Sequence, residues 1–241
     1  MVVLHGGPGA PGSAGALAAL LADPLYVLEP WQRASDERPL TVARHVADLA
    51  EFIGAYGGSR PLIVGHSWGA MLALAFAATH PSSARAIALV GCGTFDPQTR
   101  AVFERSVRER LPSQVELDVL PMEHRHQIID RVYAYDPLPT DALDDANFDQ
   151  RAHDESWADM IRLQAAGVYP ASFAEIRCPI LMVHGAVDPH PGPLIRESLR
   201  HFVPELEYRE LPNCGHYPWR ERACRADFAS LLRGWLVDRG R

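Results

Sequence analysis

The stretch Pro61-Leu62-Ile63-Val64-Gly65-His66-Ser67-Trp68-Gly69, running into Ala70-Met71-Leu72-Ala73-Leu74-Ala75-Phe76-Ala77-Ala78, decides how the chain is read. A short apolar run with β-branched residues, a Gly-x-Ser-x-Gly turn and a run of small, helix-forming residues predict a strand, a tight turn and a helix. At such a turn the backbone of the serine is strained. Only small residues two before and two after it let strand and helix approach, and Gly65 and Gly69 fill those places. The Ser67 hydroxyl would then stand above the sheet at a helix start, where backbone N–H groups and the helix dipole favour negative charge.

Working outward, Val2-Val3-Leu4 is a very short strand that enters His5-Gly6-Gly7-Pro8-Gly9. Ser13 is placed to cap a helix through Ala22, and Leu25 to Glu29 reads as a further strand ended by Pro30. Thr41 is placed to cap a helix through about Tyr56, with Val42, Val46, Leu49, Phe52 and Ile53 on one face. Beyond the central segment come a strand over 86–91, a strand over 179–184, a helix from about Leu194, a strand over 206–211 and a closing helix from about Ala223. Six strands alternating with helices predict a mainly parallel sheet covered on both faces. The opening strand is expected inside the sheet, between the strand at 25–29 and the strand that leads to Ser67. That leaves 25–29 as an exposed edge, which a homodimer or an upstream start of the chain would cover.

From Phe95 to Ile176 no strand is evident, and helices are expected over about 98–111, 122–133 and 155–166. The Pro-rich Asp136-Pro137-Leu138-Pro139-Thr140 reads as a hinge or loop. The chain therefore divides into a core, 1–94 with 178–241, and a helical lid, 95–177, over the carboxyl ends of the strands.

A serine hydroxyl is a weak nucleophile until a base takes its proton and a third group orients that base. Asp188 follows the strand at 179–184 and His216 follows the strand at 206–211, so acid and base candidates both sit just past strand carboxyl ends. The order Ser67, Asp188, His216 is that of a hydrolytic triad on a sheet of this kind. The oxyanion donors expected are the N–H of Trp68 and that of Gly7, since Pro8 has none. Asp96, after the fourth strand, is the rival acid, and His190, close to Asp188, is the rival base. His66 is expected to point away, His5 and His184 to be structural, and Cys214 to pack. Glu221 and Asp227, assigned to the last helix, read as solvated, and Trp31, Trp157 and Trp219 as core or lid packing.

The 241 residues are 47 % apolar and 22 % charged with a net charge of −7, the balance of an ordinary globular domain and a poor one for binding nucleic acid. Neither a signal-peptide pattern nor an apolar run of membrane-spanning length is evident. Cys92, Cys178, Cys214 and Cys224 match no metal spacing and read as free thiols, which points to a reducing cytoplasm.

The His5-Gly6-Gly7-Pro8-Gly9 loop, the Gly65–Gly69 turn and the Asp188 and His216 turns together resemble the α/β-hydrolase superfamily, and within it the proline iminopeptidase-type branch. The resemblance implies Ser67 as nucleophile, His216 as base, Asp188 as its orienter, Gly7 and Trp68 as oxyanion donors, a small-molecule substrate, and neither cofactor nor metal. It implies an ester, amide or lactone substrate, with carbon–carbon bond hydrolysis or a non-turnover ligand receptor as alternatives. The family normally has two more strands ahead of the oxyanion loop. In the iminopeptidase branch lid carboxylates hold the substrate amine, and Asp154, Glu155 and Asp159 are the candidates by type.

Overall fold

A computed structural model of the chain describes residues 1–23, 25–111, 122–139 and 148–240. Five parallel strands form one sheet in sequence order: β1 (Val2–Leu4), β2 (Leu62–His66), β3 (Ala86–Val90), β4 (Ile180–Gly185) and β5 (Glu207–Leu211). Registers such as Val3 to Val64, Val64 to Ala88 and Leu89 to Met182 run straight across it. Alternate residues point to opposite faces, so two cores form. Val2, Leu4, Ile63, Ile87 and Met182 belong to one. Val3, Val64, Ala88, Val90 and Val183 belong to the other.

The first core is covered by α2 (Val42–Phe52), α3 (Trp68–Thr79) and α7 (Gly192–Leu199), the second by α1 (Gly15–Leu21) and α8 (Arg225–Gly240). α3 is apolar all round and buried from Trp68 to Ala77, as a helix enclosed by protein must be. Thr41 caps α2, its side chain accepting from the Arg44 N–H at 3.2 Å. Ser13 does not cap α1. Ala14 takes the N-cap place, and its N–H donates to the Glu29 carboxylate at 3.1 Å.

The sheet corrects the expected count from six strands to five. Residues 25–29 lie where expected, on the outer side of β1, but only Leu28 pairs there. It donates to the Met1 carbonyl and accepts from the Val3 N–H at 3.0 and 2.8 Å. β1 is three residues long, and Tyr26 is left exposed.

Between β3 and β4 the described residues form α4 (Pro97–Arg110), α5 (Met122–Tyr133) and α6 (Gln150–Ala165). The Pro-rich stretch after α5 is a loop tied down over residues 136–138. Pro137 bridges Glu221 in antiparallel sense, Leu138 donates to the Arg220 carbonyl at 2.6 Å, and Arg222 donates to the Asp136 carbonyl at 3.0 Å. Thr140, the end of that stretch, lies outside the described residues.

Two of the four cysteines are not free thiols. Cys214 and Cys224 form a disulfide joining the loop after β5 to the start of α8, while Cys92 and Cys178 are free and buried. A separation of ten residues carries no sequence pattern of its own, so the pairing was not legible. With two of them paired, the cysteines do not point to a reducing compartment. Among the described residues no helix is long and apolar enough to cross a membrane.

Candidate active site

Ser67 adopts φ 52° and ψ −116°, and among the described residues only Asn213 shares a positive φ without being glycine. Such a conformation costs on the order of 1–3 kcal/mol and persists only where the surroundings enforce it. Here they do. The Ser67 N–H donates to the Val90 carbonyl at 2.9 Å, and its carbonyl accepts from the Ala70 and Met71 N–H groups at 3.1 and 3.3 Å. A Cβ at Gly65 would strike the backbone of Gly69, and one at Gly69 would strike the Leu4 carbonyl, so both must be glycine.

The loop after β1 passes directly against this turn. A Cβ on Gly6 would meet His66 Nδ1 at 2.7 Å and Ser67 Cβ at 3.1 Å. Gly7 follows with φ 42°, a left-handed conformation that suits glycine. Trp68 opens α3, so its N–H is one of those an α-helix leaves without an intrahelical partner. Gly7, Ser67 and Trp68 line one cavity of about 590 Å³. The Trp68 indole is held from behind by Gln32 Oε1 at 2.8 Å, and Gln32 is held by His5, whose ring accepts the Gln32 N–H at 3.0 Å.

Asp188 and His216 meet as the sequence predicted. Gly185, at the end of β4, gives passage to the loop after β5, since a Cβ there would strike the Cys214 and Gly215 carbonyls. The Val187 N–H then donates to Cys214 and the Ala186 N–H to Leu211, at 2.9 and 2.8 Å. With the two loops so joined, His216 Nδ1 lies 2.7 Å from Asp188 Oδ2, and the Asp188 side chain is completely buried. Burial alone opposes a charge on Asp188. The facing His216 and His190 rings outweigh it and hold the carboxyl well below its ordinary value. Gly91 leaves room for the imidazole, as a Cβ there would sit 2.8 Å from His216 Nδ1. His216 and His190 line the same cavity as Ser67.

Rival residues have other work. Asp96 is the N-cap of α4, accepting from the Thr99 N–H at 2.8 Å and the Thr99 hydroxyl at 2.7 Å. His66 lies beneath the loop after β5, with its Nε2–H donating to the His216 carbonyl at 3.1 Å. His5 donates from Nδ1 to the Gly6 carbonyl, and His184 from Nε2 to the Cys92 carbonyl. Asp188, His190 and His216 are close enough to be considered as metal ligands. Their facing atoms, however, already hydrogen-bond one another.

The amine-holding carboxylates do not materialise at the cavity. Glu155 accepts from the Leu40 N–H and Asp159 from the Val42 N–H, each at 2.8 Å, so both tie α6 to the entrance of α2. Asp154 is exposed, bonded to Gln150 and His153. Among the described residues a different carboxylate lines the cavity, Asp130, paired with Arg220 at 3.0 Å. Of the three tryptophans, Trp219 is core, Trp31 is 66 % exposed and Trp157 lines the cavity.

Glu221 corrects the sequence reading most. It is not solvated but wholly buried. One oxygen accepts from the Gly215 and Tyr135 N–H groups at 2.9 and 2.8 Å, the other from the Asp136 N–H at 2.7 Å. Beside it the His216 N–H donates to the Tyr133 carbonyl at 2.8 Å. The exit of α5 and the His216 loop are thus held as one piece.

Burial pushes His5, His45 and His184 each down to about 4, because an imidazolium there would lose its hydration. In the unfolded chain these rings take up protons near pH 6.5. Between pH 6.5 and 4 the unfolded state therefore binds protons that the folded state does not. The stability contributed by the neutral rings is complete above pH 6.5 and falls as pH drops toward 4, at about 1.4 kcal/mol per pH unit for each histidine. The melting temperature should fall steeply across that interval, and a flat profile there would contradict the burial argument.

The chain belongs to the alpha/beta hydrolase family, whose model matches residues 1–229. It is 33 % identical over 138 residues to a protein of Streptomyces coelicolor described as a probable proline iminopeptidase; the match takes in 52 % of this chain and 43 % of that protein's length. A thermophilic esterase from Thermogutta terrifontis superposes with a TM-score of 0.68 at 19 % identity, over 100 % of this chain and 90 % of the other. A membrane phospholipase A superposes with a TM-score of 0.72 at 20 % identity, over 100 % of this chain and 79 % of the other. At such identities the two structures speak for the fold.

Proposed function

We propose that the protein is a serine hydrolase of small esters or lactones with an apolar acyl part, working through Ser67, His216 and Asp188 without a cofactor. The observation that carries this reading is the fully buried 2.7 Å contact of Asp188 with His216 beside the cavity that Ser67 lines. Ser67 Oγ attacks the substrate carbonyl while His216 Nε2 takes its proton. Asp188 accepts the Nδ1–H and stabilises the imidazolium so formed, and the N–H groups of Gly7 and Trp68 receive the oxyanion. Collapse of the tetrahedral intermediate breaks the ester bond, and His216 gives its proton to the leaving alcohol. Water, deprotonated by His216, then releases the acid and restores Ser67.

The described residues between 95 and 166 act as a lid over the strand ends that carry Ser67, Asp188 and His216. Within it Phe103, Val107, Ile129, Val132, Phe148 and Trp157 give the cavity an apolar wall suited to an acyl group. Iminopeptidase activity is the less favoured form of this chemistry, because Glu155 and Asp159 are committed to backbone N–H groups.

A fluorophosphonate probe should label the wild-type protein and fail to label Ser67→Ala. On a panel of p-nitrophenyl esters beside prolyl and alanyl arylamides, turnover should favour the esters. A folded wild-type protein that the probe does not label would sink the proposal and leave a ligand-binding role on this fold.

A further inference from the structure

The carboxylate of Asp188 is divided between two histidines. Oδ2 faces His216 Nδ1 at 2.7 Å, and Oδ1 accepts from the His190 backbone N–H at 2.8 Å and from its ring Nδ1 at 3.1 Å. His190 also lies flat on His216, with ring centroids 4.7 Å apart and planes 20° from parallel. Its other face is covered by Phe103 of α4, at 4.1 Å and 19°. Three rings therefore stack in a row from a helix of the cavity wall to the Asp188–His216 pair.

We propose that His190 is a positioning residue: its ring N–H fixes the Asp188 carboxylate so that Oδ2 stays on His216, and the Phe103–His190–His216 stack sets the rotation of the His216 imidazole. The inference rests on the hydrolytic reading of Ser67, Asp188 and His216. A carboxylate held at one oxygen can turn about its last bond. The His190 backbone N–H holds Oδ1 in any variant; the ring N–H is a second donor to that oxygen, and with it the carboxylate keeps its plane and the imidazole its tautomer and aim. The titratable neighbours of His190 are Asp188 on its own loop, His216 on the loop after β5, His184 on β4, His66 beneath His216 and Tyr133 of α5, whose ring is 6.0 Å away. Burial favours the neutral form of His190 against the pull of Asp188. That suits the chemistry, since a second cation stacked on His216 would oppose the imidazolium formed during turnover.

The test compares His190→Phe, which keeps a stacking ring and loses the ring donor, with His190→Asn, which keeps a donor near the Nδ1 position. His190→Phe should lower kcat by about 10- to 100-fold with KM nearly unchanged, the size expected when a base is imperfectly aimed. Its acid limb should move to higher pH. Asp188, freed of one donor, then holds the His216 proton more strongly. His190→Asn should restore the profile and recover part of kcat, leaving a loss of about 3- to 10-fold for the missing stack. Phe103→Leu, which touches neither Asp188 nor His216, should lower kcat by about 3- to 10-fold.

If His190→Phe keeps wild-type kcat and an unshifted pH profile, His190 is only packing and the inference is overturned. If His190→Phe does not fold, Phe103→Leu with wild-type kcat overturns the stacking role. Loss of probe labelling in the wild type would instead count against the serine hydrolase reading, so the two failures are separable.

Discussion

Asp188→Asn is expected to lower kcat by about 10⁴ on the best ester substrate, with the protein still folded. The carboxylate accepts the Nδ1–H of His216 at 2.7 Å and is completely buried, so no water stands in for it. An asparagine fits the space and turns a donor or a weaker acceptor toward the imidazole. A donor there moves the ring proton to Nε2, which can then no longer take the Ser67 proton, while the weaker acceptor would keep the tautomer but stabilise the imidazolium less. Measured in a protease with the same constellation, that substitution costs about 10⁴ in turnover. The control is Asp96→Asn. Asp96 spends its carboxylate on Thr99 as a helix cap, a service asparagine performs equally well. Its kcat should stay within about twofold of the wild type, and a large loss there with a small one at Asp188 would move the role to Asp96.

Glu221→Ala is expected to lower stability sharply. It would leave the N–H groups of Gly215, Tyr135 and Asp136 without their shared acceptor, that of Gly215 in a buried site. At about 1–3 kcal/mol for each stranded donor, the loss should reach about 3–5 kcal/mol, or roughly 10 °C in melting temperature for a chain of this size. Gly215 adjoins His216, so activity per folded molecule should fall as well. Thermal denaturation and active-site titration on the same samples check both parts. A melting temperature within about 2 °C of the wild type would refute the role given to Glu221.

The two residues show where sequence reading reaches and where it stops. The turn at Ser67 was legible because its steric demand is local: two glycines at fixed spacing are the only residues that pass the backbones of Gly69 and Leu4. Asp188 and His216 were legible because strand ends on one edge of a parallel sheet must lie together. Glu221 was not, since a carboxylate reads as solvated until the fold brings three donors to it. Neither was the failure of 25–29 to form a strand, where a single bridge from Leu28 to β1 is all that pairs. Glu155 and Asp159 were singled out by charge alone, and the fold uses them to fasten α6 to residues 40–42. His190 was marked by its closeness to Asp188, but the sharing of one carboxylate by two rings is visible only in three dimensions.

The cavity above Ser67 has two origins. Its floor, with Gly7, Ser67, Trp68 and His216, comes from turns at the ends of strands. Its apolar wall, with Phe103, Val107, Ile129 and Val132, comes from helices between β3 and β4 that contribute no strand to the sheet. Substitutions in the wall can therefore be screened in bulk for altered selectivity at little risk to the bond-breaking step, with Phe103 set aside because it also touches His190. For directed evolution, the library belongs on one face of two helices, and the sheet is best left untouched.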